Sequence, residues 1–298
     1  MYQNADFLNL LTPHHNVCIV GMAKNAGKTT VLNYLIEAFY KQHTSLALTS
    51  IGRDGETLDV VTQTEKPRIY IHKGTFIATA EQLLPLCDIT KEIVAVMDMP
   101  TALGRIVLVR ALSDGYVQLA GPSMAAQMVS LFKSHPVDKI LIDGALFRKS
   151  IANPAISDAV VLCTGAAVGK SIEKVVVQTA HQVNILTLPV AEHINEDCLY
   201  IDGALTDTLA QAQLRNWAKK TIICEDASKI FVSPHMLSLL KSASVVLNVQ
   251  KAIKLAAICI NPVAPTGINF PPAEFLTAMQ AAVHIPVFNI GTAVHHVT

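Results

Sequence analysis

The stretch Gly21-Met22-Ala23-Lys24-Asn25-Ala26-Gly27-Lys28-Thr29-Thr30 carries the residue types that hold a polyphosphate. It follows a short apolar run, Val17 to Val20, and opens a segment with helical spacing, Thr29 to Tyr40. A strand, a loop ending Gly-Lys-Thr and then a helix is the layout of a phosphate-binding loop. Main-chain N–H groups of Asn25, Ala26, Gly27, Lys28, Thr29 and Thr30 would line the phosphate at the start of the helix. The Lys28 ammonium would reach the β- and γ-phosphates, and the Thr29 hydroxyl would be a magnesium ligand. Val31, Leu32, Leu35, Ile36 and Phe39 fall on one face at helical period, which supports a helix after the loop.

The loop is a variant. The usual spacing puts a glycine five residues before the glycine of Gly-Lys; Met22 holds that position, and Gly21 lies one place earlier. The alternative is an ordinary glycine turn between strand and helix. A second segment ends in the same chemistry. Asp158 to Cys163 reads as a buried strand, followed by Thr164-Gly165-Ala166-Ala167-Val168-Gly169-Lys170-Ser171 and a helix-like run to Ala180. It reads as a strand-to-helix turn on the same sheet edge, with a second phosphate loop as the alternative.

A nucleotide site also needs acids. Lys139–Ile142 is an apolar strand ending in Asp143-Gly144, and Asp143 would hold magnesium or its water. Asp98, after Ile93–Met97, competes for that role. The second strand ends in Ser50-Ile51-Gly52-Arg53-Asp54-Gly55-Glu56. If it neighbours the first strand, Asp54 and Glu56 would bind magnesium or orient the attacking water; otherwise they form an exposed Asp-Gly turn. Arg53 would sense phosphate or form a local ion pair. Asn261-Pro262 ends a late apolar run; its amide would read a purine edge, or bond its own backbone before the proline. Absence of an Asn-Lys-x-Asp stretch favours ATP over GTP. Asp226, in Asp226-Ala227-Ser228-Lys229, lines a crevice or caps the next helix. His14-His15 and His295-His296 have no acidic or cysteine partner nearby in sequence, which argues against a metal.

These residues need a scaffold. Strand-like runs recur at Val17–Val20, Ser45–Ile51, Ile93–Met97, Lys139–Ile142, Ala159–Cys163, Asn184–Leu188, Thr221–Cys224, Ser244–Leu247, Ala256–Ile260 and Pro286–Ile290, with helical segments between them. That alternation predicts an α/β fold, a mostly parallel, doubly wound sheet with helices on its faces. Ile106–Arg110 and Tyr116–Ala120 flank Ser113-Asp114-Gly115, which predicts a β-hairpin. The best seam is Pro189–Asn195, giving a nucleotide-binding domain over residues 1–190 and a C-terminal α/β half over 191–298. Ile-Asp-Gly-Ala-Leu occurs at 142–146 and again at 201–205, but the flanking residues do not match, which favours coincidence.

Composition agrees. Hydrophobic residues make up 51% of 298 and charged residues 15%, enough for a sizeable core and too apolar for disorder. The formal net charge is +0, which offers no electrostatic footprint for nucleic acid. Mean hydropathy is +0.39, yet no run reaches the 18 or so apolar residues of a membrane span. The apolar excess suits parallel strands buried on both faces. None of the cysteines forms a Cys-x-x-Cys pair; Cys18, Cys163, Cys224 and Cys259 lie in apolar runs and read as small core residues of a reducing compartment. With no secretory pattern at Met1–Asp6, the expected location is cytoplasmic.

The variant loop, the strand ending Asp143-Gly144-Ala145 and the late Asn261-Pro262 resemble the P-loop NTPase class that includes dethiobiotin synthetase. Gly21–Thr30, Thr49–Glu56, Ala111–Gly115 and Glu225–Lys229 resemble, more closely, the reactivase subunit family of lysine 5,6-aminomutase. That resemblance implies a magnesium-dependent ATPase that helps replace damaged adenosylcobalamin, working with the aminomutase and a second ATPase subunit. Lys28, Thr29 and Asp143 match the phosphate and magnesium positions of the class. Lys24 resembles an extra loop lysine of variant P-loops, but lies four residues before Lys28 where that pattern has five. No Asp-x-His-x-x-Gly cobalamin signature is present. Two other functions fit the same motifs: an ATP-dependent small-molecule ligase or kinase resembling dethiobiotin synthetase, and a nucleotide-binding scaffold without turnover.

Overall fold

Most of the apolar runs become strands, and Val17–Val20, Leu46–Ser50, Ala159–Cys163 and Ala256–Ile260 are covered on both faces, as their lack of polar alternation requires, whereas Ile93 and Val96 are exposed. The structure is a computed structural model. It describes residues 4–51, 68–122, 127, 131–132, 135, 137–145, 156–192, 196, 198–265, 267 and 269–290. Arg53, Asp54, Glu56 and His295-His296 lie outside the described residues.

The helices are α1 (Asn4–Leu11), α2 (Lys28–Lys41), α3 (Ile172–Leu186), α4 (Asp207–Trp217), α5 (Pro234–Ser242) and α6 (Pro272–Ala282). The strands before residue 120 are β1 (Asn16–Gly21), β2 (Leu46–Ser50), β3 (Ile69–Ile71), β4 (Phe76–Ala80), β5 (Lys91–Thr101), β6 (Gly104–Ala111) and β7 (Gly115–Val117). Next come β8 (Lys139–Ala145), β9 (Ala159–Gly165), β10 (Cys198–Ile201), β11 (Leu205–Thr206) and β12 (Thr221–Asp226). Last are β13 (Ile230–Phe231), β14 (Val246–Lys251), β15 (Leu255–Asn261) and β16 (Val287–Asn289).

A nine-stranded sheet runs β16-β15-β9-β1-β8-β2-β4-β6-β5. Pairing is parallel from β16 to β4, and β6 runs against both its neighbours. Side chains alternate between two cores. Val17 and Ile19 of β1 join Val31, Leu35 and Phe39 of α2 and Phe7 of α1. Cys18 and Val20 join Val175 and Val183 of α3 and Phe275 of α6. The chain leaves β1 toward β2 on one side and later adds β9 on the other, so β1 sits at the switch point where open α/β sheets form crevices.

Residues 198–251 build a separate parallel sheet, β10-β12-β14, and then β15 and β16 rejoin the large one beside β9. The chain thus departs near the expected seam at 190 but returns, so residues 255–289 belong to the sheet of the first half. The two Ile-Asp-Gly-Ala-Leu copies take different conformations: Gly144 lies inside β8, whereas Gly203 sits in a turn at φ 104°.

Two expected elements differ. Asn184–Leu188 is not a strand: α3 continues past Ala180 to Leu186, because Val175, Thr179, Val183 and Leu186 form one buried helical stripe. The hairpin around Asp114-Gly115 is also absent as drawn. β6 pairs with β4 and β5, while Gly115–Val117 pairs with β3. Asp114 causes this: its carboxylate accepts the Lys73 N–H at 2.7 Å and contacts the His72 ring at 3.2 Å, drawing the turn toward β3. The hairpin turn falls instead at Thr101–Gly104, where Gly104 has φ 92° and the Thr101 hydroxyl bonds the Gly104 carbonyl.

Candidate functional site

The loop after β1 is shaped by two left-handed residues and one missing side chain. Asn25 has φ 63° and Gly27 has φ 95°, a region that glycine enters without steric cost. Gly27 is the N-cap of α2 and, having no side chain, makes no cap hydrogen bond to it. The first bond into the helix is Val31 N–H to the Gly27 carbonyl. The N–H groups of Lys28, Thr29 and Thr30 lie ahead of it, with no acid in the first turn, which is where an anion is favoured. The Ala26 N–H is engaged by the Ala23 carbonyl at 3.3 Å and closes the loop's own turn.

Gly21 ends the row Val17–Ile19–Gly21 that faces α2. A Cβ built on it would lie 2.8 Å from Lys28 Cγ and 2.9 Å from Cδ. The Lys28 stem therefore folds back across the bare end of β1. The displaced glycine of the variant spacing gains its reason here: it clears a bed for the lysine. Met22 continues the strand by donating its N–H to the Cys163 carbonyl, and its sulfur takes a contact from the Thr179 hydroxyl of α3 at 3.3 Å.

Asp143 reaches the same place from β8, the direct parallel neighbour of β1, opposite Ile19. It follows Leu141 by two residues and so shares the face that packs on α2. Ser50 of β2 is its partner on the other side. Cys163, on β9, reports the convergence. Its thiol is pushed up to about 12 by burial, an effect that Lys28 partly offsets and Asp143 reinforces. Burial and then Asp143 likewise raise Cys18. All six cysteines are unbridged, and five are buried.

Asp98 is exposed on β5 at the far edge of the sheet, five strands from β1 and on the order of 24 Å away, which removes it as a competitor of Asp143. Asn261 ends β15 and lies against the loop, its amide donating to the Asn25 carbonyl at 3.3 Å. Its Oδ1 accepts the Val263 N–H at 3.2 Å, so the local turn before Pro262 forms. Lys24 is exposed in the loop. Asp226 caps the short turn Ala227–Lys229 through the Ser228 N–H at 2.7 Å. His15 bonds the Asp138 carbonyl through Nδ1 at 2.9 Å, at the opposite edge of the sheet from the loop. Among the described residues no group of three His, Cys, Asp or Glu is arranged for a metal ion. Magnesium does not require one, since it keeps several waters and takes one or two protein ligands beside phosphate oxygens.

The second Gly-Lys loop is built differently. Lys170 is exposed and precedes α3, with Ser171 as N-cap; the Ser171 hydroxyl accepts the Lys174 N–H. Glu173 occupies the first turn, and its own N–H and the Ser171 hydroxyl hold its carboxyl below the usual range. This helix start already has its oxygen and its negative charge, which fits the turn reading.

Sequence reasoning missed the bracing by Asn261 and the role of Cys163 and Thr179 beneath the loop. Nothing local signals them, because they belong to strands and a helix more than a hundred residues away. Comparisons of the chain with protein-family models, curated proteins and solved structures gave no match.

Proposed function

We propose that this chain is a magnesium-dependent P-loop ATPase whose hydrolysis is coupled to a partner protein. The observation that carries the reading is Lys28 folded across Gly21 at the foot of an uncapped helix, with Asp143 on the adjoining strand and the same face. The N–H groups of Lys28, Thr29 and Thr30 bind the phosphate tail, and the Lys28 ammonium neutralises its charge. Thr29 and Asp143 would hold the metal, Asp143 directly or through water. Magnesium, when bound, offsets charge on the β- and γ-phosphate oxygens. Asp54 or Glu56, four and six residues beyond Ser50 at the end of β2, orients the attacking water. Such phosphoryl transfer needs positioning and charge compensation more than covalent chemistry.

The partner reading, an adenosylcobalamin-dependent lysine 5,6-aminomutase served together with a second ATPase subunit, is supported by the segmental resemblance of Gly21–Thr30, Thr49–Glu56, Ala111–Gly115 and Glu225–Lys229. The test is a calorimetric titration of the full chain with ATP and GTP plus magnesium, followed by phosphate release with and without the aminomutase. Saturable binding and partner-stimulated release are expected. No saturable signal at millimolar nucleotide ends the reading. Turnover triggered by a small metabolite instead favours the ligase or kinase alternative, and binding without turnover favours the scaffold.

A further inference from the structure

We infer that Asn261 is a positioning residue that holds the phosphate loop in its ligand-ready shape, rather than a reader of the base. The inference rests on the phosphate-binding reading above and specifies how that site is preset. Asn261 is the last residue of β15 and pairs with Gly165 of β9, one strand removed from β1. Its side chain crosses the end of β9 to reach the loop. There Nδ2 donates to the Asn25 carbonyl, and its Cβ would lie 3.0 Å from a Cβ built on Gly27. Asn25 and Gly27 are the loop's two left-handed residues, and Asn261 touches both.

The brace is itself anchored. The Oδ1 atom accepts the Val263 N–H, and the Asn261 main-chain carbonyl accepts the Ala166 N–H at 2.9 Å. Gly165 packs so closely that a Cβ there would sit 2.1 Å from that carbonyl. On the loop side, the Asn25–Ala26 peptide is held at both ends, its carbonyl by Asn261 and its N–H by the Ala23 carbonyl. Because the peptide unit is planar, fixing both ends fixes the plane. Asparagine enters the left-handed region more readily than most residues with a side chain, and the two hydrogen bonds select that state at Asn25. One Nδ2 hydrogen is committed to Asn25 and one Oδ1 lone pair to Val263, which fixes the plane of the carboxamide against the loop and leaves one donor and one acceptor.

The experiment uses the full chain and three probes: magnesium ATP, magnesium GTP and magnesium tripolyphosphate, which has no base. Asn261→Ala is expected to weaken all three by one common factor, about five- to tenfold, as for a lost hydrogen bond. Amides of residues 23–30 are expected to exchange faster with solvent in the ligand-free variant. Asn261→Asp keeps the acceptor for Val263 but loses the donor to Asn25; it is expected to weaken tripolyphosphate at least as much, and it serves if the alanine variant does not fold. Loss of ATP-over-GTP preference with tripolyphosphate affinity unchanged would show a base reader and overturn the inference. Unchanged affinities and exchange rates overturn it as well, while leaving the phosphate reading intact. Failure of the wild-type chain to bind any of the three probes removes the phosphate reading, and this inference with it.

Discussion

Two loops in this chain end in Gly-Lys followed by a hydroxyl residue, yet the structure gives them opposite electrostatics. At Gly27-Lys28-Thr29 the lysine is the first residue of α2, folded over Gly21, and the helix start has neither cap nor acid. At Gly169-Lys170-Ser171 the lysine is exposed before α3, the serine is the cap, and Glu173 supplies a carboxylate to the first turn. The difference is one of register. Starting the helix at the lysine leaves main-chain donors for a ligand; starting it after the serine satisfies them internally. The tripeptide alone is therefore weaker evidence of phosphate binding than the position of its lysine relative to the helix start.

The sharpest way to break this contrast is to remove each lysine. Lys28→Ala is expected to weaken magnesium ATP on the order of a hundredfold by calorimetry, the scale of charged hydrogen bonds, while Lys170→Ala stays within about twofold. A larger loss for Lys170→Ala would exchange the roles of the two loops. Next in size is Gly21→Ala. The new Cβ must push aside the flexible Lys28 stem, so affinity is expected to fall about tenfold with little change in melting temperature. Gly169→Ala meets Val175 Cγ2 at 3.2 Å and is expected to leave nucleotide affinity unchanged.

Ser171→Ala addresses the other half of the contrast. Loss of that cap is expected to cost about 1 kcal/mol of stability, read as a drop of a few degrees on thermal unfolding, with affinity unaltered. The smallest effect is on pH dependence. The Glu173 carboxyl lies below its ordinary range in the folded chain, so its contribution is present above the unfolded value and lost as pH falls through the folded one. Glu173→Gln is expected to make the acid limb of melting temperature against pH slightly shallower. An unchanged limb would mean that this carboxylate contributes nothing at the helix start.

Local features were legible in the sequence. The run Val17–Val20, the Gly-Lys-Thr loop and the stripe Val31 to Phe39 are short-range chemistry, and each forms as its spacing predicts. Asp143 was legible as a strand-end acid, but its place beside β1 required a pairing across more than a hundred residues. Asn184–Leu188 misled because Ile185, Leu186 and Leu188 have the density of a strand, while the stripe that decides the helix begins at Val175. Asp114-Gly115 misled because a turn does form there, but His72 and Lys73 choose its partner. The Asn261–Asn25 bond joins residues 236 positions apart, and no window along the chain contains both.

The central strand β1 also imposes an order on assembly. Its two flanks arrive with β8 and β9, well over a hundred residues later, and the brace on its loop arrives with β15. Contacts so distant along the chain make for slow, high-contact-order folding. On the ribosome, a nascent chain is expected to complete the bracing of this loop only after residue 261 has emerged.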